Sequence, residues 1–179
     1  MAEPIVLIVD DEGSIRESLS EIFKDEGYYV LTSSSGEEAI ETVKEHSPDL
    51  IFLDIWLSGI DGIQTLEEIK GLKPDLPIIM ISGNGNIELA VKATRIGAYD
   101  FLEKPLSLER VLLAAKRALE KQALETEYKA LKQDLTKRFR LIGSSQKMTV
   151  LKEQIDMAAQ SYSRVLIMGE SGSGKELVA

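Results

Sequence analysis

A chain of 179 residues with a net charge of −9, 44% apolar residues and no cysteine can bury a core, and its length suits one domain plus the start of another. The acidic balance argues against a nucleic-acid-binding surface in this segment, and the missing thiols exclude disulfides and thiolate metal sites. No apolar run approaches membrane-spanning length and the N-terminus lacks a signal-peptide pattern, so a cytoplasmic protein without membrane contact is expected.

Ile5-Val6-Leu7-Ile8-Val9 reads as a buried strand that ends on Asp10-Asp11-Glu12. Ser14 is expected to cap a first helix with Ile15, Leu19, Ile22 and Phe23 along one stripe, and Gly27 to end it. Tyr28 to Leu31 predicts a short strand. Ser35 precedes a second helix carrying Ala39, Ile40 and Val43, which Pro48 stops; His46, near its polar end, is expected at the surface. Between Pro48 and Gly59 runs Ile51-Phe52-Leu53-Asp54-Ile55, a second apolar strand with a carboxylate near its tip. The loop Leu57 to Gly62 leads to a third helix with Ile63, Leu66 and Ile69. Pro74 and Pro77 bracket the turn into strand Ile78 to Ile81. A turn from Ser82 to Gly85 precedes a fourth helix with Leu89, Ala90, Ala93 and Ile96. Gly97 ends it, Tyr99 to Leu102 predicts a fifth strand, and Lys104-Pro105 follows.

Strands alternating with helices over about 120 residues predict an α/β domain, a doubly wound parallel sheet with right-handed crossovers. Such sheets hold ligands outside the carboxyl ends of their strands. Asp10, Asp11, Asp54, Ser82 and Lys104 all fall on that rim. Several carboxylates in one crevice are costly unless a cation sits among them. Asp is also common after strands, so acids that merely end strands in solvent are the competing explanation.

Taken together, Val9-Asp10-Asp11-Glu12, Leu53-Asp54, Gly59 to Gly62, Ser82-Gly83 and Lys104-Pro105 stand in the order and spacing of a known family. From Ile5 to about Leu119 the chain resembles the receiver domain of two-component response regulators. The runs from Ile81 to Glu88 and from Gly97 to Pro105 are similar to receivers of sigma-54-dependent activators, and Asp54-Ile55-Trp56-Leu57 to the NtrX type within that NtrC-like group. The resemblance implies a flavodoxin-like sheet of order 2-1-3-4-5 and a phosphoacceptor at Asp54, fed by a sensor histidine kinase. It implies Mg2+ held by Asp11, Asp54 and the Trp56 backbone carbonyl, with Asp10 acting through a water. These are the oxygen donors that magnesium prefers, and a carboxylate can attack phosphorus to form an acyl phosphate. Lys104 would pair with Asp54 and later with phosphoryl oxygens, across a cis Lys104-Pro105 bond. Ser82 and Phe101 would form the switch that turns phosphorylation into a shape change. The family more often has Thr and Tyr at those two places. Ser58 stands where many receivers carry Pro, from which a looser loop is expected.

Ser107 to about Phe139 lacks Gly and Pro and predicts one long helix continuing out of the receiver. Leu108, Leu112, Ala115 and Leu119 form one stripe; Leu124, Tyr128, Leu131 and Leu135 form another after a register slip. Two short blocks point to a coiled coil and a homodimer, with a solvated linker helix as the competing reading. Met148 to Ala159 predicts a further amphipathic helix. Val165 to Met168 then leads into Gly169-Glu170-Ser171-Gly172-Ser173-Gly174-Lys175-Glu176, which has the spacing of a P-loop. Glu176 replaces the usual Ser or Thr, as is typical of the ATPase domain of sigma-54 activators, which this region resembles. The expected organisation is a receiver over 1–120, a coiled-coil linker over 121–140 and the opening of an ATPase domain over 141–179.

The sequence given ends before any Walker B acids, arginine finger or helix-turn-helix. ATP, sigma-54 polymerase and DNA are therefore expected as partners of a longer protein only. The catalysis expected of the chain itself is limited to phosphorylation and dephosphorylation of its own receiver. A haloacid-dehalogenase-type phosphatase would also use an Asp nucleophile and magnesium. It places the nucleophile after the first strand as Asp-x-Asp, which Asp10-Asp11-Glu12 does not match.

Overall fold

The structure, a computed structural model, describes residues 3–83, 87–138, 143–160, 164–175 and 178; over 133–138 it describes the backbone alone. The chain divides into two units, Met1–Glu125 and Thr126–Ala179.

The first unit is a five-stranded parallel sheet. Its elements are β1 (Ile5–Val9), α1 (Gly13–Asp25), β2 (Tyr29–Ser33), α2 (Gly36–His46), β3 (Leu50–Asp54), α3 (Gly62–Leu72), β4 (Ile78–Ser82), α4 (Ile87–Ile96) and β5 (Asp100–Glu103). The strand order is β2-β1-β3-β4-β5, as expected of the doubly wound fold. Every residue of β3 and β4 is buried, which fits their near-continuous apolar sequence and central positions. Side chains alternate between two cores. Leu7, Val9, Ile51, Leu53, Ile78 and Met80 pack with Ala39, Val43, Leu66 and Ile69 on the face covered by α2 and α3, with Ala93 of α4. Val6, Ile8, Leu50, Phe52, Ile79 and Ile81 pack with Leu19 and Phe23 of α1 on the other face. There the Phe23 and Phe52 rings lie 5.2 Å apart.

Several local expectations change: β3 begins at Leu50 and ends at Asp54, one residue earlier than its expected run at each end, and β4 continues to Ser82. The N-cap of α1 is Glu12, without a side-chain cap, because the helix springs directly from the acidic turn; Ser14 lies inside it and its carbonyl accepts a bond from Ser18. Strand β2 starts and ends later than its apolar run, since Thr32 and Ser33 keep the ladder to Ile8 and Val9. Likewise β5 starts at Asp100 and runs to Glu103, opposite Ser82. Ser35 does cap α2, accepting from the Glu38 N–H at 3.3 Å, and Asp61 caps α3. Gly27 and Gly97, at φ +82° and +114°, turn the chain out of α1 and α4 as a left-handed conformation requires. His46 is exposed, as expected.

A single helix, α5 (Leu108–Arg138), follows. Its seam on the receiver is Val111, Ala114, Ala115 and Ala118, all buried, flanked by half-buried Leu112 and Leu119. Leu108, expected in the stripe, is 54% exposed. Alanines let the helix backbone approach the sheet closely, and the bulkier leucine is left at the edge. Farther along, Leu124, Tyr128 and Leu131 are exposed. Leu135 lies where side chains are outside the description, and Phe139 and Asn84-Gly85-Asn86 are outside the described residues altogether.

In the second unit, α6 (Gln146–Ala159) is capped by Ser145, close to the expected span. None of its residues is buried, so its apolar face has no core beneath it. Residues 164–170 pair in no strand.

Candidate functional site

At the carboxyl edge of the sheet, β1 and β3 each deliver an acid into the same crevice. Asp10 is fully buried, and Asp54, the last residue of β3, is 3% exposed. The loop after β5 brings Lys104 across both: its Nζ donates to Asp10 Oδ2 at 2.9 Å and to Asp54 Oδ2 at 2.5 Å. Glu12 completes the set at 3.6 Å from the same ammonium. The Lys104-Pro105 bond is cis, as expected. The Lys104 backbone N–H donates to the Ser82 carbonyl at 2.8 Å, which ties the lysine to the buried tip of β4.

Burial raises the Asp54 carboxyl above the ordinary carboxylate range; the Lys104 and Trp56 hydrogen bonds work against that shift and the Asp10 charge adds to it. Burial alone would lower Lys104. Its hydrogen bonds to Asp54 and Asp10 outweigh it and hold the ammonium at about 12. Asp54 is therefore a carboxylate gripped on both oxygens, since the Trp56 backbone N–H donates to Oδ1 at 3.1 Å.

Asp11 sits next to Asp10 but is exposed, as is the Trp56 side chain. Among the described residues, no three acidic or histidine side chains converge as a ready cage for a metal ion. Magnesium is commonly held by one or two carboxylates, carbonyls and water. The donors on this rim are all oxygens, and Asp11 and Trp56 beside it are exposed, so the donor chemistry fits that hard cation. Phe101 is half-buried against the core on the α2–α3 face, while Ser82 is fully buried at the rim.

Two participants went unnoticed in the sequence. Arg16 donates from Nη1 to the Asp10 backbone carbonyl at 2.6 Å. Glu37, on α2, accepts the Ile60 N–H at 3.1 Å; bonds from backbone N–H groups, its own and that of Ile60, hold its carboxyl below the usual range. Glu37 and the bond from Gly62 N–H to the Ile55 carbonyl tie down the loop after β3, which had been expected to be looser at Ser58. Gly62 is needed there: a Cβ would lie 2.0 Å from the Asp54 carbonyl oxygen. Glu37 reaches Ile60 across 23 residues, a closeness that no local spacing announces, whereas Arg16 and Asp10 lie six apart.

In the second unit, Gly172 and Gly174 both adopt φ of +79°, a conformation that suits glycine in a loop of this kind. A Cβ on Gly169 would lie 2.8 Å from Ser173 Oγ. Lys175 donates to the carbonyls of Gly169 and Glu170, at 3.0 and 2.6 Å, so the loop folds on its own lysine. Glu176 is outside the described residues.

A five-stranded parallel sheet of order 2-1-3-4-5, with acids closing its first and third strands and a lysine after its fifth, defines a flavodoxin-like receiver. The response regulator receiver domain matches residues 6–116, and the sigma-54 interaction domain matches residues 142–179. The chain belongs to the two-component response regulators, in the branch that joins a receiver to a sigma-54 interaction domain. It is 45% identical over 176 residues to the nitrogen assimilation regulatory protein NtrX of Azorhizobium caulinodans, covering 97% of this chain and 38% of that protein. It is similar to the crystal structure of Brucella abortus NtrX in complex with ATP, with TM-score 0.71, 45% identity, and coverage of 99% of this chain and 39% of the other. The solution structure of the beryllofluoride-activated NtrC4 receiver domain dimer is 46% identical, with TM-score 0.64, over 66% of this chain and 98% of the other. The chain thus spans about two fifths of the length of the curated relatives it matches.

Proposed function

We propose that Asp54 accepts a phosphoryl group from a sensor histidine kinase and that the modified receiver governs a sigma-54-dependent activator ATPase. The observation that carries this reading is the buried Asp54 carboxylate, held between the Lys104 ammonium and the Trp56 N–H. An Asp54 oxygen attacks phosphorus, the new O–P bond replaces the donor's N–P bond, and the donor histidine leaves as imidazole with the N–P electron pair on its nitrogen. Phosphoryl transfer depends mainly on positioning and on neutralising charge. Lys104 supplies a fixed cation that can follow the transferred oxygens. Asp11, Asp54 and the Trp56 carbonyl would hold Mg2+, with Asp10 acting through water, and the ion would supply further positive charge. Ser82 donates its hydroxyl to the phosphoryl group, and Phe101 turns inward in response. The catalysis belonging to the chain is phosphorylation and dephosphorylation of its own receiver.

The same proposal extends to assembly and location. Exposed Leu124, Tyr128 and Leu131 give α5 an apolar stripe that a second copy would cover, and a related receiver is known as a dimer. The P-loop of Gly169, Gly172, Gly174, Lys175 and Glu176 binds ATP in the longer protein, as the ATP complex of the related NtrX suggests. Among the described residues no helix is long and apolar enough to cross a membrane, and we place the protein in the cytoplasm.

Incubation with acetyl phosphate and Mg2+ tests the reading by intact-protein mass. Wild type should gain one phosphoryl group and Asp54→Asn none. A normal gain in Asp54→Asn would overturn the assignment.

A further inference from the structure

We infer that Arg16 is the positioning residue of the magnesium site: it locks the peptide that joins Asp10 to Asp11 and so aims Asp11 at the metal. This rests on the proposal that Asp11 is a metal ligand. All the polar atoms of Asp10 are engaged. Its N–H donates to the Ser33 carbonyl at 3.3 Å, its Oδ1 accepts the Glu12 N–H at 2.9 Å, and its Oδ2 accepts Lys104. The last atom, the carbonyl oxygen, receives the Arg16 guanidinium at 2.6 Å, a charge-assisted bond.

Three acids stand in the adjoining turn, at Asp10, Asp11 and Glu12. Even so, among the described residues Arg16 forms an ion pair with none of them and spends its charge on a main-chain carbonyl. The guanidinium folds back over the start of α1, where a Cβ on Gly13 would lie 3.8 Å from Nη2. Since α1 has no side-chain N-cap, two bonds fasten its start to the tip of β1: the Glu12 N–H to Asp10 Oδ1 and the Arg16 guanidinium to the Asp10 carbonyl. The carbonyl of Asp10 and the N–H of Asp11 share one rigid plane. Held there on one side, and by the Glu12 N–H bonded to Asp10 Oδ1 on the other, Asp11 has its backbone bracketed, which limits the directions its side chain can take.

The sign of the effect separates positioning from simple electrostatics. A positive charge beside a dication repels it, so deleting the charge alone would tighten Mg2+ binding. Loss of positioning loosens it. Mg2+ titration of the 179-residue chain, followed by Trp56 fluorescence, reads this directly. Arg16→Gln should bind Mg2+ about tenfold more weakly, about 1.4 kcal/mol. Arg16→Lys, which keeps the charge without the planar fork, should recover part of that loss. Equal or tighter binding by Arg16→Gln overturns the inference. Should Arg16→Gln fail to fold, Arg16→Lys carries the test: weaker binding supports the inference and wild-type affinity overturns it. In the Asp11→Asn background, Arg16→Gln should cost nothing further, and an additional tenfold loss would show that it does not act through Asp11. Unchanged affinity in Asp11→Asn alone would instead sink the underlying ligand assignment.

Discussion

Removing the Lys104 ammonium while keeping its bulk, as in Lys104→Met, strands two buried carboxylates. Two unit charges 2.9 Å apart attract by about 6 kcal/mol at an effective dielectric near 20, and the Asp54 contact is shorter than that. The desolvation of the lysine itself offsets part of this, and its side chain is 17% exposed. The net loss should therefore fall near the low end for a broken buried pair, roughly 3 kcal/mol at pH 7. Trp56 is the chain's one tryptophan and lies two residues from Asp54, so urea unfolding followed by its emission reports on the receiver rather than on the second unit. The deficit has a pH signature. In wild type the Asp54 carboxyl is already raised by burial, and without Lys104 it rises further. A carboxyl raised on folding contributes its full stability below its unfolded value, about 3.9, and loses it as pH climbs through the folded value. The gap between wild type and Lys104→Met should be small below about pH 4 and widen toward neutrality. Adding Asp54→Asn to Lys104→Met should restore part of the loss. A deficit under about 0.5 kcal/mol at pH 7, or one that does not shrink in acid, would refute the reasoning.

Because Lys104 is raised to about 12, its contribution is complete below the unfolded value near 10.4 and disappears as pH rises through 12; alkaline unfolding of wild type should show this step and Lys104→Met should lack it. Gly62→Ala should destabilise the receiver by about 2 kcal/mol and slow acetyl-phosphate labelling, since its Cβ meets the Asp54 carbonyl oxygen; wild-type urea midpoint and labelling rate would contradict this. Ala115→Leu should cost about 1–3 kcal/mol by the same urea assay, because Ala115 is wholly buried against the sheet, whereas Leu108→Ala should change little. Leu124→Asp with Leu131→Asp should convert a sedimenting dimer to a monomer and leave receiver unfolding unchanged, as both side chains are exposed. A monomeric wild type at micromolar concentration would leave the linker part of α5, beyond its seam on the receiver, as a spacer only.

Strands β3 and β4 were legible because every residue in them is buried, and their apolar runs differ from their ladders only by a residue at an end: β3 runs Leu50–Asp54 rather than Ile51–Ile55, and β4 extends to Ser82. At the sheet's edges that equivalence weakens: Thr32, Ser33 and Glu103 belong to strands although they are polar. The face of α5 misled for a related reason. Leucines mark a helix stripe most visibly, yet the seam is built from alanines that permit close approach, and Leu108 is left in solvent. Among the site residues, Asp10, Asp54 and Lys104 could be found as polar groups at strand tips. Arg16 and Glu37 could not, since each acts on a backbone atom of a neighbouring segment, and any arginine or glutamate on a helix looks solvated in sequence.

The two faces of the sheet are separate compartments, and β5 contributes to both: Phe101 packs with the core under α2 and α3, whereas Leu102, with Tyr99 just before the strand, packs with the core beneath α5. The ring proposed to respond to phosphate and the helix that leaves the receiver are thus insulated from each other by a layer of backbone. Among the described residues, Phe101 packs with one core and Ala115 and Ala118 with the other. Motion there must twist β5 as a strand, tipping Leu102 on the far side as an axle turns both its wheels. On the proposed switch, the signal would pass through β5 itself, a four-residue edge strand paired in the sheet with β4.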